Sequence, residues 1–376
     1  MRKNLFVRSI AAVSGIVMLA SLAACGDNIS SAGNNSGSTS TEKITGSFSG
    51  AGATSQQAAE EAWISAYMAA NSGANVTYNP TGSGAGVTTF LSGATAWAGS
   101  DKALSDDEVT QSSDKACANG TTAFDVPVYI SPIAIIFNLK GVSDAGKHIN
   151  LDADTAAKIF DGKIVKWNDP AIANQNKDLA LPDTQITVVH RSDKSGTTQN
   201  FVSYFKDQAP DSWTHELSEN WPDIPGQQSA KGTSGVVTAV KQADGTIGYA
   251  DFSQVGDLGT AAIKVGENYN EISADAGSKV IEDSEIDTSA KGDNRVVVKI
   301  NHATEAKGAY PIVLVSYDIA CPAYKDASTA KFVKSWLTYV TSDEGQKTAS
   351  SAAGSAPLPS NIVEKVTKSI EAIKTK

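Results

Sequence analysis

Short apolar runs of β character alternate along this chain with amphipathic helical stretches, and that alternation restricts its fold more than any other feature. The runs are VPVYISPIAIIFN (126–138), ITVVH (186–190), TIGYADF (246–252) and RVVVKI (295–300). Between them lie helical patterns such as 58–70 and 197–205. Interleaving of this kind argues for an α/β fold with mixed sheets flanked by helices. The stretch Ile133–Phe137 offers no polar face to water, so its sheet is expected to be covered on both sides. At 376 residues the chain exceeds one ordinary core and is expected to divide in two.

Three places share one local design, a Gly- or Ser/Thr-rich turn that opens a helix. In SGAGATSQQAAEEAW (49–63), Gly50 and Gly52 allow close backbone approach, and Thr54 with Gln57 has capping-box spacing. Ala59, Trp63 and Ala70 fall on one face of the helix that follows, with Ala66 and Tyr67 beside it. NPTGSGAGVTTFL (79–91) places Ser83 before a second helix. In HRSDKSGTTQNF (190–201), Ser195 and Gly196 precede a helix that buries Phe201 and Phe205. A single turn of this type is ordinarily just a helix cap. Helix N-termini also present unpaired N–H groups and the positive end of the dipole, so three together can hold an oxyanion.

The N-terminus has its own character. Arg2, Lys3 and Arg8 precede an apolar stretch of 13 residues, Ile10–Leu22, which has signal-peptide length and is too short to span a bilayer as a helix. It closes on Leu22-Ala23-Ala24-Cys25, similar to a bacterial lipobox, in which the cysteine thiol takes the lipid. Residues 1–24 are read as a lipoprotein signal peptide and 25–43, rich in Ser, Gly and Asn, as a flexible tether. A coil of this composition reaches roughly 20–25 Å. The expected location is extracytoplasmic, lipid-anchored to the cell membrane through Cys25. Loss of residues 1–24 removes three positive charges and no acid, taking the net charge from −10 to −13. So acidic a domain is a poor partner for nucleic acid or anionic lipid.

The letters DKSGT (193–197) are one substitution from the phosphorylation motif of P-type ATPases, which would make Asp193 a nucleophile. No second segment is long and apolar enough to supply the spans such a pump needs. Neither a Walker A sequence nor GxSxG occurs. The four histidines, His148, His190, His215 and His302, are scattered without ligand spacing and there is no cysteine cluster, so no metal and no cofactor are expected. An extracellular phosphatase using Ser195 or Asp193 would need a base, and His190 points away from the cleft if Arg191 points into it.

Taken in order, GAGAT (50–54), TGSGAG (81–86), AGSD (98–101), FDGKIVKWNDPAIA (160–173), VVHRSDKSGT (188–197), GTIGYADF (245–252) and AYPI (309–312) resemble the phosphate-binding lipoproteins of bacterial ABC phosphate importers, the PstS family. The resemblance runs from about Ile44 to the end. It implies a two-lobed, type II periplasmic-binding-protein fold with the ligand in the cleft. The chain would cross between lobes near Val128–Pro132 and Tyr310–Val315, giving one lobe of 44–129 plus 311–376 and another of 130–310. It further implies a monomer that binds inorganic phosphate without catalysis and hands it to ABC permease subunits.

Carried over position by position, the resemblance gives Thr54 a hydroxyl contact and Ser55 a backbone N–H contact. Ser83 serves at the second turn, and Asp101 accepts a hydrogen bond from the phosphate's own proton. Arg191 supplies the charged fork, while Ser195, Gly196 and Thr197 are further donors. Asp193 is expected beside Arg191, orienting it. The family usually has an aromatic residue and a Pro after GAGAT, where this chain has Ser55-Gln56, and often a second Ser at the position of Gly84. With Cys25 acylated, Cys117 and Cys321 remain, both assigned to the first lobe, and a disulfide between them is expected. The other readings are a binding protein for a sulfate-like oxyanion, an extracellular phosphatase and a surface adhesin.

Overall fold

The structure, a computed structural model, describes residues 43–376. The expected signal peptide, Cys25 and all but the last residue of the tether lie outside them. The chain opens with β1 (Gly46–Gly52), α1 (Gln57–Ala70), β2 (Ala74–Pro80), α2 (Ser83–Leu91), β3 (Trp97–Ser100) and α3 (Asp106–Lys115). The long β4 (Phe124–Asn138) follows, then β5 (Ile149–Leu151), α4 (Ala153–Phe160), α5 (Pro170–Ala173), β6 (Thr187–Arg191) and α6 (Gly196–Gln208). Next come β7 (Gln228–Ala230), α7 (Gly232–Gln242), β8 (Thr246–Asp251), β9 (Gly259–Val265), β10 (Asn268–Asn270) and α8 (Ala274–Glu282). The two-residue strands β11 (Glu285–Ile286) and β12 (Val298–Lys299) precede β13 (Val313–Ala320), α9 (Ala327–Val340), α10 (Asp343–Ala353) and α11 (Ser360–Glu371).

The strands join in the order β2-β1-β3-β13-β4-β8-β6-β7, with β9 also on β4 and carrying β5 and β10. Within that path β1, β2 and β3 run parallel, as do β8, β6 and β7, while β13 and β4 are antiparallel to their neighbours. This is the mixed sheet of a two-lobed fold, and β4 is shared between its halves. Phe124–Pro132 pairs with β13, whereas Ile133–Asn138 pairs with β8. Every residue of β4 except Asn138 is buried, because helices cover both faces, as its unbroken apolar sequence requires.

Each half has its own core. One gathers Trp63, Tyr67, Trp97, Tyr129, Phe332 and Trp336, and the other Phe160, Phe201, Phe205, Trp213, Trp221 and Tyr249. Val280, Ile281, Val296 and Val298 fall within 130–310 yet pack in the first core. Arg295 holds that segment down through Asp125, whose two oxygens it reaches at 2.8 Å each.

The run RVVVKI does not form the strand expected of it. Only Val298–Lys299 is paired, because Val296 N donates instead to Asp125 O at 2.9 Å and the Arg295 side chain anchors the backbone beside it. In α1 the buried stripe is Ala59, Trp63 and Tyr67; Ala70 is exposed at the helix end. Cys117 and Cys321 form a disulfide, with a Cα–Cα distance of 5.3 Å, linking the end of α3 to the end of β13.

Candidate functional site

The first turn places Thr54 and Ser55 in the interior between β1 and α1. Ser55 Oγ donates to Asp101 Oδ2 at 2.6 Å. The expected capping box does not form. The N-cap of α1 is Gln56, with no side-chain cap, and Gln57 instead donates to Glu61 Oε1 at 2.9 Å. The Thr54 hydroxyl is drawn to the other half of the molecule, where it accepts from Thr233 N at 3.1 Å and meets Thr233 Oγ1 at 3.0 Å. A tertiary partner has displaced the local one.

Gln56, part of the departure from the family's usual pattern after GAGAT, is completely buried and fully used. Its Nε2 donates to Ser316 Oγ at 2.8 Å and Tyr317 O at 3.0 Å, and its Oε1 accepts from Tyr78 OH at 3.2 Å. Ser316 passes the contact on, donating to Asp101 Oδ1 at 2.9 Å. The departure from the family's pattern is thus absorbed by a connected polar network, which keeps a buried amide from being stranded.

At the second turn Gly82 adopts φ +101°, a conformation that side-chain-bearing residues avoid, and turns the chain into α2. Ser83, the first helical residue, accepts from Asp101 N at 3.2 Å. Asp101 itself is buried and receives three hydroxyls, Ser55 and Thr197 on Oδ2 and Ser316 on Oδ1. Burial pushes its carboxyl up, an effect the three hydroxyls and Arg191 oppose only in part. Asp101 does not cap α3; Ser105 does, in a capping box with Glu108.

The third turn follows β6. Arg191 is buried and grips Asp193 with both edges of its fork, Nε to Oδ1 at 2.8 Å and Nη2 to Oδ2 at 2.6 Å. Asp193 Oδ1 also accepts from Gly232 N at 3.0 Å. Burial alone would raise the Asp193 carboxyl, but Arg191 and Gly232 hold it below its ordinary range. His190, one residue back on the strand, stacks on Trp221 at 5.5 Å, and its Nδ1–H donates to Arg191 O at 2.9 Å. Neither contact involves Ser195 or Asp193.

Ser195 caps α6, its Oγ accepting from Thr198 N at 3.1 Å. Gly196 then passes so close to the other half that a Cβ there would stand 2.8 Å from both Asp101 Cβ and Ser83 Oγ. Thr197 Oγ1 donates to Asp101 Oδ2 at 2.8 Å. The starts of α1, α2 and α6 thus come together around Asp101, with the Arg191–Asp193 pair held at the end of β6. Buried hydroxyls, helix N-termini and a guanidinium form a donor-rich lining suited to an anion that has lost its water.

Four contributors were not singled out from the sequence. Asn200 Nδ2 donates to Asp101 O at 2.6 Å, Gln254 Nε2 to Thr54 O at 2.9 Å, and Thr233 and Ser316 hold Thr54 and Asp101 as described. KGTSG (231–235), with Gly232 and Thr233 opening α7, repeats the local design of the three turns and was discoverable on that ground. Ser316 lies inside an apolar strand and gives no such signal. Among the described residues no group of three or more His, Cys, Asp or Glu is placed to hold a metal ion. No described helix is long and apolar enough to cross a membrane.

Residues 37–344 match a family described as a PBP superfamily domain. The phosphate-binding protein PstS2 of Mycobacterium bovis (strain BCG / Pasteur 1173P2) is 36% identical over 381 residues, spanning 98% of this chain and 99% of the relative. The phosphate-binding protein PstS of Xylella fastidiosa (strain Temecula1 / ATCC 700964) is 32% identical over 85% of this chain and 83% of its own. Among solved structures, a high affinity periplasmic phosphate-binding protein bound with phosphate superposes with a TM-score of 0.69 at 23% identity, over 87% of this chain and 93% of that one. The phosphate binding protein from Stenotrophomonas maltophilia gives 0.65 at 21% identity, over 86% and 94%. These two likenesses carry the fold.

Proposed function

The chain belongs to the PBP superfamily, among the phosphate-binding proteins named PstS, and from that membership we propose that it captures inorganic phosphate outside the cytoplasm and delivers it to an ABC import system. The observation that carries this reading is the meeting of three helix starts and a guanidinium at one buried carboxylate, Asp101. The ligand set is Thr54, Ser55, Ser83, Asp101, Arg191, Ser195, Gly196 and Thr197, with Asp193 orienting Arg191. Asp101 accepts a hydrogen bond from the proton that phosphate carries near neutral pH and sulfate does not.

The lobes are assigned as 44–129 plus 311–376 and 130–310, with Val280–Val298 docked onto the first. Cys25 carries the lipid, residues 25–43 form the leash, and the protein acts as a monomer. The role is binding without turnover. Ser195 Oγ is committed to its helix, and Asp193 has Arg191 on both oxygens with Gly232 N on one, so neither is prepared as a nucleophile.

Calorimetric titration of the ligand-stripped mature domain, first with phosphate and then with sulfate, tests the reading. Tight phosphate binding with sulfate far weaker is expected. Equal binding of both makes it a general oxyanion binder, and steady hydrolysis of phosphate esters makes it an enzyme.

A further inference from the structure

Lys102 follows Asp101 directly and sits between two carboxylates from distant parts of the chain. Its Nζ is 2.7 Å from Glu108 Oε2 and 3.9 Å from Glu219 Oε2. The pair is largely shielded, with side-chain exposures of 9% for Lys102 and 14% for Glu219. Glu219 belongs to the connection 209–227 between α6 and β7, which has no helix or strand of its own. Connections this long inside a compact domain usually carry function. Trp213 and Trp221, buried within it with their rings 5.2 Å apart, root it in the second core.

Glu219 touches the site from three sides. Its carbonyl accepts from Ser195 N at 3.0 Å, the residue that caps α6. Its Oε1 is buried without a hydrogen-bond partner and lies 3.3 Å from where a Cβ of residue 84 would stand, beside Ser83. Its Oε2 faces Lys102, beside Asp101. The absence of a side chain at residue 84 is what admits this approach, since a Cβ there would also press to 2.6 Å on Lys194 Cβ.

Resting on the phosphate-binding reading above, we propose that Glu219 is a latch: its pairing with Lys102 holds the connection 209–227 across the mouth of the closed cleft and slows release of bound phosphate. It is a positioning residue and does not touch the anion. A charge pair formed only on closure stabilises the closed state by its differential contact alone. Because the pair is mostly shielded from solvent, its loss acts on the rate of leaving more than on the rate of arrival.

Stopped-flow release of phosphate from the loaded protein into a phosphate trap tests this on Glu219→Gln and Lys102→Met. Each is expected to release about tenfold faster than wild type, with the association rate nearly unchanged; in Glu219→Gln, which leaves the Lys102–Glu108 pair intact, the melting temperature of the ligand-free protein is nearly unchanged as well. The double variant is expected to be no faster than the faster single variant, because the Lys102–Glu219 contact is lost in either case. Release at the wild-type rate in both single variants, or a double effect equal to the product of the singles, overturns the latch. A second readout works without ligand: spin labels at Gln111→Cys and Lys177→Cys, on exposed positions of the two lobes, report the closed population of the ligand-free protein. If wild type binds no phosphate, the proposed ligand falls, and this distance distribution decides the latch. Fewer short distances in Glu219→Gln support it, and an unchanged distribution ends it.

Discussion

Thr197 donates its hydroxyl to Asp101 across 2.8 Å, although the two residues stand 96 positions apart. The bond joins the start of α6 to the end of β3. An ionised carboxylate in this position accepts hydrogen bonds and donates none, so it favours an oxyanion that brings its own proton. Asp101→Asn is expected to narrow the gap between phosphate and sulfate affinity, because the amide both accepts and donates and no longer repels a fully deprotonated oxyanion. Paired calorimetric titrations measure it. Unchanged affinities with lowered stability would mean that Asp101 serves only the fold.

At Gly196 the two halves pass close to each other. A methyl group there meets Asp101 Cβ and Ser83 Oγ at 2.8 Å, shorter than carbon and oxygen tolerate. Gly196→Ala is expected to prop the cleft open and weaken phosphate binding by about tenfold or more, the cost of overpacking a close contact. The ligand-free melting temperature should move little, and small-angle scattering with phosphate should show a larger radius of gyration than wild type. Wild-type affinity in this variant would show that the cleft accommodates the methyl.

Arg191→Ala is expected to lower phosphate affinity at least a hundredfold, since hydrogen bonds to charged groups contribute about 1.5–3 kcal/mol each. Asp193→Asn should weaken binding less, because its amide keeps an oxygen to orient the guanidinium. The reverse order in a titration would return Asp193 to consideration as a reacting group.

Asp318, on β13, has both carboxyl oxygens buried, with the Trp336 indole N–H the polar group acting on them. Burial raises its carboxyl from the ordinary 3.8 to about 7. Between those values the folded protein keeps a proton that the unfolded chain releases, so this group's contribution to stability is lost as pH rises through the window. The slope amounts to at most about 1.4 kcal/mol per pH unit. Asp318→Asn removes the titration, and urea unfolding from about pH 4.5 to about pH 7 should show a shallower loss than wild type. Parallel curves would mean that Asp318 stays ionised throughout.

Changing Cys25→Ser is expected to move the protein from the membrane fraction to the medium, which immunoblotting of fractionated cells reads directly. Retention in the membrane would point to an anchor other than a lipidated Cys25.

The parts of the fold that local chemistry determines were legible. The apolar run at β4 and the Gly/Ser turns before α1, α2 and α6 each announce themselves within a dozen residues. What failed was local reasoning at places where a distant partner is stronger. Thr54 has the spacing of a capping box, but its hydroxyl pairs with Thr233, 179 residues away. RVVVKI has strand composition, yet Arg295 and Asp125 take its backbone elsewhere. Thr54 and Ser83 stand out in their turns, but their proposed roles and that of Asp101 come from family resemblance, whereas Ser316 and Asn200 join the network around Asp101 only through tertiary placement, which no spacing encodes.

The placement of β13 between β3 and β4 has a consequence in time. A chain made from its N-terminus produces β1, β2, β3 and Asp101 early, but the strand that joins β3 to β4 is residues 313–320. Until that stretch emerges, the lobe that holds Asp101 consists of two unjoined pieces, while β6 and α6 already have their neighbours. Such late, long-range pairing is slow to form and leaves strand edges exposed meanwhile. Competence to trap an anion is therefore acquired only after residues 313–320 have emerged.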